Sequence, residues 1–158
     1  MITEVKTNVM RILEKEQIAY TAHTYDPDGG IDGVSVAAKL GQNPEQVYKT
    51  LVTVGKSRAL YVFVIPVAEE LDLKKAARAC GEKAIEMLHV KDLLAHTGYI
   101  RGGCSPIGMK KDYPTYIEEL AQLCDTICVS AGKIGAQVEL APADLARVCG
   151  ARFEPLIA

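Results

Sequence analysis

Apolar and polar positions alternate along the chain with two different periods, and the switches between them mark the elements. Val5, Val9, Ile12 and Leu13 recur at spacings of three and four with charged residues between them, which predicts an amphipathic helix ending near Gln17. "IAYTAHTYD" follows with the Ile, Tyr and Thr content of a strand, Ala19, Thr21, His23 and Tyr25 sharing one face, and "DPDGGIDG" closes it with a long turn. "SVAAKLG" predicts a short helix capped by Ser35 and stopped by Gly41, and "NPEQ" a further turn. "VYKTLVTV" and "ALYVFVIP" are strong strand runs separated by "GKSR", the pattern of a hairpin.

Further on, "DLKKAARACG" predicts a helix with Asp72 as cap and Gly81 as stop, "KAIEML" a short strand, and "HVKDLLAHTG" a helix ending at Gly98. "YIRGGCSPIG" is glycine-rich and irregular. "YPTYIEEL", "DTICVSAG" and "AQVELAP" predict strands, "PADLARVCG" the last helix, and "ARFEPLIA" a final strand. Six or seven strands and four or five helices without a βαβ rhythm predict an α+β fold with a mixed, largely antiparallel sheet, formed by a single domain over 1–158.

Within "VYKTLV" the pattern is interrupted by a charge. Strand alternation puts Val47, Lys49 and Leu51 on one face and Tyr48, Thr50 and Val52 on the other, so Lys49 stands among hydrophobes. Burying an unpaired ammonium costs several kcal/mol or shifts its pKa toward the neutral form. Three arrangements satisfy it: an edge strand from which the side chain reaches water, an internal ion pair, or a cleft that receives an anion or a polarised carbonyl.

A chain of 158 residues suffices for one stable core without staples. No apolar run approaches the roughly 20 residues of a membrane span, and the N-terminus has no signal-peptide pattern, which predicts a complete cytoplasmic protein. A net charge of −2 argues against a general polyanion-binding surface and leaves room for a local basic cleft that grips a few phosphates, so any nucleic-acid partner must be held locally. Five cysteines form no CxxC pair or Cys/His cluster at zinc spacing. Cys124 and Cys128 are four apart, but "DTICVS" reads as a strand, so a metal pair is not expected and free buried thiols are.

Two glycine clusters, residues 98–108 and 130–135, match neither a P-loop nor a dinucleotide fingerprint. Their backbone can still approach a ligand closely and build an oxyanion-type or phosphate nest, or simply make turns. Cys104 lacks a histidine at a familiar spacing, and Ser105 lacks a GxSxG elbow. His89 and His96 read as surface residues, His23 as a neighbour of Tyr25, and none has a metal role. Glu69, Glu70 and Asp72 mark a helix start, while Glu139 and Asp144 read as solvated. No conventional acid, base and nucleophile set emerges, and no cofactor is expected.

"HTYD", "VYKTLV", "LDLKKAA", "TGYIRGGCSPIG" and "VSAGKIG" followed by "VELAPADLARV" together resemble the YbaK/EbsC family of aminoacyl-tRNA deacylases, in order and over nearly the whole chain. The resemblance is to the Cys-tRNA(Pro)/Cys-tRNA(Cys) deacylase branch, which is similar to the editing domain of bacterial prolyl-tRNA synthetase. It implies a mixed, barrel-like sheet surrounded by helices, and a cleft for the 3′ end of a mischarged tRNA into which Lys49 projects. It also implies a reaction in which the cysteinyl thiol attacks its own ester, so that the enzyme supplies no nucleophile. Lys49 then stabilises negative charge, Gly102 and Gly103 offer backbone contacts, Tyr25 shapes the pocket, and Thr50, Ser130 and Gly132 assist. Prolyl-tRNA synthetase is an implied partner, and the oligomeric state stays open. Some relatives carry an acidic residue at Gln137, an aromatic within "GGIDG", or an aliphatic residue at Cys104, so the amino-acid preference is open as well. The alternatives are a deacylase for another small amino acid such as Ala-tRNA(Pro), a cysteine-dependent enzyme using Cys104, and a module that binds tRNA ends or small ligands without turnover.

Overall fold

The computed structural model describes residues 6–28 and 30–158. Among these are five α-helices, α1 Asn8–Lys15, α2 Gly33–Leu40, α3 Leu73–Cys80, α4 Val90–Thr97 and α5 Pro142–Cys149. Eight strands accompany them: β1 Thr21–Thr24, β2 Tyr48–Gly55, β3 Leu60–Pro66, β4 Ile85–Met87, β5 Thr115–Glu118, β6 Ile127–Ser130, β7 Ala136–Leu140 and β8 Arg152–Glu154. Val5, assigned by its periodicity to the first helix, lies outside the described residues.

The strands form two sheets, ordered β1-β7-β6 and β4-β2-β3-β5-β8. Pairing is antiparallel except for β3 with β5 and β5 with β8. The predicted α+β class and mixed sheet are thus observed, but the barrel is not closed: the two sheets meet at a single parallel bridge, Val47 to Cys128. β3 is an almost unbroken apolar run because both of its faces are covered. Val64 packs into the core shared with α1, β6, β7 and α5, while Phe63 and Ile65 pack against Ala76 and Ala77 of α3.

Local chemistry sets the ends of the helices, with two departures from the sequence pattern. Helix α2 starts at Gly33 and is capped by Asp32, not Ser35: the Asp32 carboxylate accepts from both the Ser35 N–H (3.1 Å) and its hydroxyl (2.7 Å). Asp72 caps α3 as expected, accepting from the N–H groups of Lys74 and Lys75. "YPTYIEEL" is a strand only to Glu118, after which Glu119–Leu123 coils into a 3₁₀ turn. The cause is Glu118, 2% exposed, whose carboxylate accepts from the backbone of Leu120, Leu156 and Ile157 and so satisfies both the turn and the C-terminal segment.

Candidate active site

The cleft lies where the two sheets meet. Strand β4 pairs with β2 only at Thr53–Gly55, so around Lys49 the corresponding side of β2 is left unpaired within its sheet, while Lys49 sits opposite Ile65 of β3 on the other. This local edge faces α2, the glycine loop after α4, and β6 and β7 of the smaller sheet. The resulting cavity of about 110 Å³ is lined by Tyr25, Lys49, Thr50, Gly102, Ser130 and Gln137, among others. It adjoins a larger groove of about 590 Å³ that shares Lys49, Thr50 and Gly102 and adds Arg101.

Five of the seven residues proposed from sequence therefore converge on one cavity, although Lys49 and Thr50 were assigned to opposite faces. Lys49 makes no side-chain hydrogen bond or ion pair among the described residues, so of the three arrangements open to it the internal pair is not the one observed. The local edge and the cleft are one and the same place. The Thr50 hydroxyl, next along the strand, is buried without a partner among the described residues. A buried polar atom left unsatisfied costs about 1–3 kcal/mol and calls for an explanation beyond packing. Ser130 accepts the Gly132 N–H (3.2 Å), which leaves its own hydroxyl proton free to point elsewhere.

Gly102 and Gly103 have different jobs. Gly102 lines the cavity at φ +87°, a conformation that a side chain strains, and a Cβ there would lie 2.9 Å from Ile31 Cδ1. The Gly103 N–H is occupied, donating to Ile100 O at 3.0 Å, so Gly103 is not the free donor that its position in the motif suggests. It is a packing glycine instead, since a Cβ would meet the backbone of Lys133 and Ile134 at 3.0–3.1 Å. Gly132 is likewise outside the lining; it backs onto Tyr99 and Val9 and acts on the cavity through Ser130.

Cys104 lines the cavity, but burial pushes its thiol up to about 12, far from the thiolate a nucleophile requires. Ser105 is fully buried and accepts the Ile107 N–H, a turn-forming role. His23 is not among the residues that line the cavity and pairs with Glu139 at 2.7 Å, so neither His23 nor Glu139 is a freely solvated residue. His89 and His96 are exposed, as expected. Gln137, 5% exposed, was noted in the sequence only as a departure from relatives; the structure places it in the cavity wall, its carbonyl oxygen accepting from Gln42 Nε2 at 2.9 Å. A polar side chain inside the apolar run "AQVEL" carries the same signal that singled out Lys49.

Residues 32–148 match the aminoacyl-tRNA editing domain family. The chain belongs to that family. It is 50% identical over 152 residues to an Enterococcus faecalis protein that bears the provisional name Cys-tRNA(Pro)/Cys-tRNA(Cys) deacylase EbsC, covering 96% of this chain and 93% of that one. It is 28% identical over 99 residues to the proline–tRNA ligase of Shouchella clausii, covering 63% of this chain but 17% of the ligase. The fold matches the crystal structure of a protein described provisionally as a trans-editing enzyme for prolyl-tRNA synthetase, with a TM-score of 0.81, 23% identity, and coverage of 98% and 99% of the two chains. Among the described residues no helix is long and apolar enough to cross a membrane.

Proposed function

We propose that this chain is a deacylase acting in trans on mischarged Cys-tRNA(Pro), in the cytoplasm and alongside prolyl-tRNA synthetase. The observation that carries the reading is that the Lys49 ammonium and the buried Thr50 hydroxyl, neither with a partner among the described residues, both line a small cavity that adjoins a larger groove. The cavity takes the aminoacyl group and the groove the 3′ end of the tRNA, with Arg101 at its side. Editing is needed because a synthetase pocket separates amino acids of similar size by only a few kcal/mol.

In the reaction the substrate sulfur bonds to its own ester carbonyl carbon. The bond from that carbon to the ribose oxygen breaks, the thiol proton ends on the departing hydroxyl, and a cysteine thiolactone and free tRNA result. Positioning makes the attack intramolecular, where effective molarities can reach about 10⁵ M or more. Lys49 stabilises the oxyanion that develops on the carbonyl, Gly102 lets the ester approach the backbone, and Tyr25, Thr50 and Ser130 fix the amino acid. Gly103 and Gly132 hold the walls in place. The EbsC name supports the substrate, and the high thiol pKa of Cys104 supports a mechanism without an enzymic nucleophile.

The test compares tRNA(Pro) charged with Cys, Ala, Ser or Pro. Much faster release of Cys than of Ser supports the reading. Equal rates for Cys and Ser would overturn substrate-thiol attack, preferential clearance of Ala would move the assignment to a hydrolase for that residue, and binding without turnover would make the cleft a recognition site alone.

A further inference from the structure

Away from the cleft lining, strands β1, β7 and β6 bring three potential ligands to one face of the smaller sheet. His23 of β1, Glu139 of β7 and Cys128 of β6 place a ring nitrogen, a carboxylate oxygen and Sγ all within 4.8 Å of one another. The register explains the cluster: Cys128 is directly opposite Glu139, and His23 is opposite Gln137, two residues along β7 on the same face. His23 and Glu139 are 116 residues apart, which is why a search for short Cys and His spacings misses them.

The His23–Glu139 contact alone would be an ordinary partly exposed ion pair. Two further features are not explained by it. Cys128 presents a buried sulfur to the pair. The Gln42 carboxamide, its nitrogen 3.7 Å from that sulfur, leaves its Oε1 buried with no partner among the described residues. We propose that His23 Nε2, Cys128 Sγ and Glu139 Oε1 bind a zinc ion with a water in the fourth position, which Gln42 Oε1 reaches once the carboxamide turns over and releases Gln137. Mixed sulfur, nitrogen and oxygen donors suit zinc and not calcium or magnesium, which take oxygen. Tetrahedral zinc with ordinary bond lengths needs ligand separations of about 3.3–3.5 Å. The His23–Glu139 contact of 2.7 Å must therefore widen slightly and the longer separations contract, changes within reach of side-chain torsions. Thr126 already donates to Glu139 Oε2 at 2.5 Å, holding that carboxylate in the way an outer-shell partner holds a metal ligand and leaving Oε1 to face inward. On binding, the Cys128 S–H gives its proton to solvent and a sulfur–zinc bond replaces it. The ion clamps all three strands of the sheet, including the exposed edge strand β1.

Cobalt(II), as a spectroscopic stand-in, and zinc(II) are titrated into the full chain under reducing, chelator-free conditions. One cobalt per chain, with a thiolate charge-transfer band and the strong visible absorption of tetrahedral coordination, is expected. Zinc should displace it and raise the melting temperature. Cys128→Ser should abolish the band. His23→Gln and Glu139→Gln should weaken zinc binding by more than the roughly 10- to 100-fold that loss of an outer-shell partner costs, whereas Cys124→Ala should change neither readout. No stoichiometric binding, a charge-transfer band that survives Cys128→Ser, or unchanged zinc affinity in His23→Gln would each overturn the proposal. The His23 variant keeps the test valid if the buried cysteine cannot be replaced without loss of folding.

Discussion

Lys39, on the helix that walls the cleft, and Lys49, on the strand that floors it, are the same side chain put to opposite uses. The Lys39 ammonium donates to three backbone carbonyls, those of Asp26 and Asp28 at 2.6 Å and Gly30 at 2.9 Å, and so ties the loop before α2 to that helix. Lys49 has no such partner among the described residues and faces a cavity. A cation whose donors are all taken is a structural part, whereas one held in a wall with its donors free is available to a ligand. The difference separates the element that shapes the cleft from the element proposed to act in it.

That contrast can be broken or sharpened in order of expected effect. Lys49→Ala should lower deacylation by about 10²-fold or more, the scale of losing a preorganised oxyanion donor, with an unchanged circular dichroism spectrum; full activity would remove Lys49 from the chemistry. Thr50→Val should cost about tenfold in kcat/KM, the worth of a good hydrogen bond, yet leave the melting temperature equal or higher, because the hydroxyl satisfies nothing in the free protein. Lys39→Met should act on the loop: hydrogen exchange near Asp26 and Asp28 should quicken while deacylation falls only about threefold, since exposed charges contribute little. Cys104→Ser should leave activity within about twofold, as a protonated thiol does not attack. A drop comparable to that of Lys49→Ala would restore a cysteine-dependent mechanism.

The smallest expected effect lies far from the cleft and is seen only in pH dependence. Glu82 receives hydrogen bonds from the Ser57 and Tyr61 hydroxyls, which hold its carboxyl below the ordinary 4.5. A lowered folded-state pKa means stability that is present above about pH 4.5 and lost as the pH falls through the depressed value. Glu82→Gln should therefore flatten the acid limb of a melting-temperature profile below that pH while leaving deacylation at neutral pH untouched. An unchanged acid limb would show that the carboxylate's hydrogen bonds contribute no differential stability.

The strands and helices with a clear period were legible in the sequence because each had one dominant cause: two-sided burial for "ALYVFVIP", a carboxylate cap for "DLKKAARACG". Lys49 was legible because a charge inside an apolar run has few physical excuses. The engagement of the Gly103 N–H was not legible because a glycine motif does not reveal which N–H groups fold back on their own loop; here Ile100 O accepts from it. The cap of α2 was misplaced by three residues because Asp32 and Ser35 are both good caps, and the choice fell to the one whose carboxylate accepts twice. Gln42, Gln137 and the His23–Glu139 pair depend on strand register between distant segments, which no local pattern encodes.

Val62, Phe63, Val64 and Ile65 of β3 are all fully buried, and Lys49 is anchored on the strand hydrogen-bonded along that run. The cation is thus mounted on the stiffest part of the molecule, where amide protons should be the last to exchange. If the cation is held there, as the proposed function requires, discrimination by size falls to the wall formed by Ile31 and by Val36 of α2. Anyone wishing to redirect the enzyme toward another amino acid should carve there and leave the strand that carries the lysine alone.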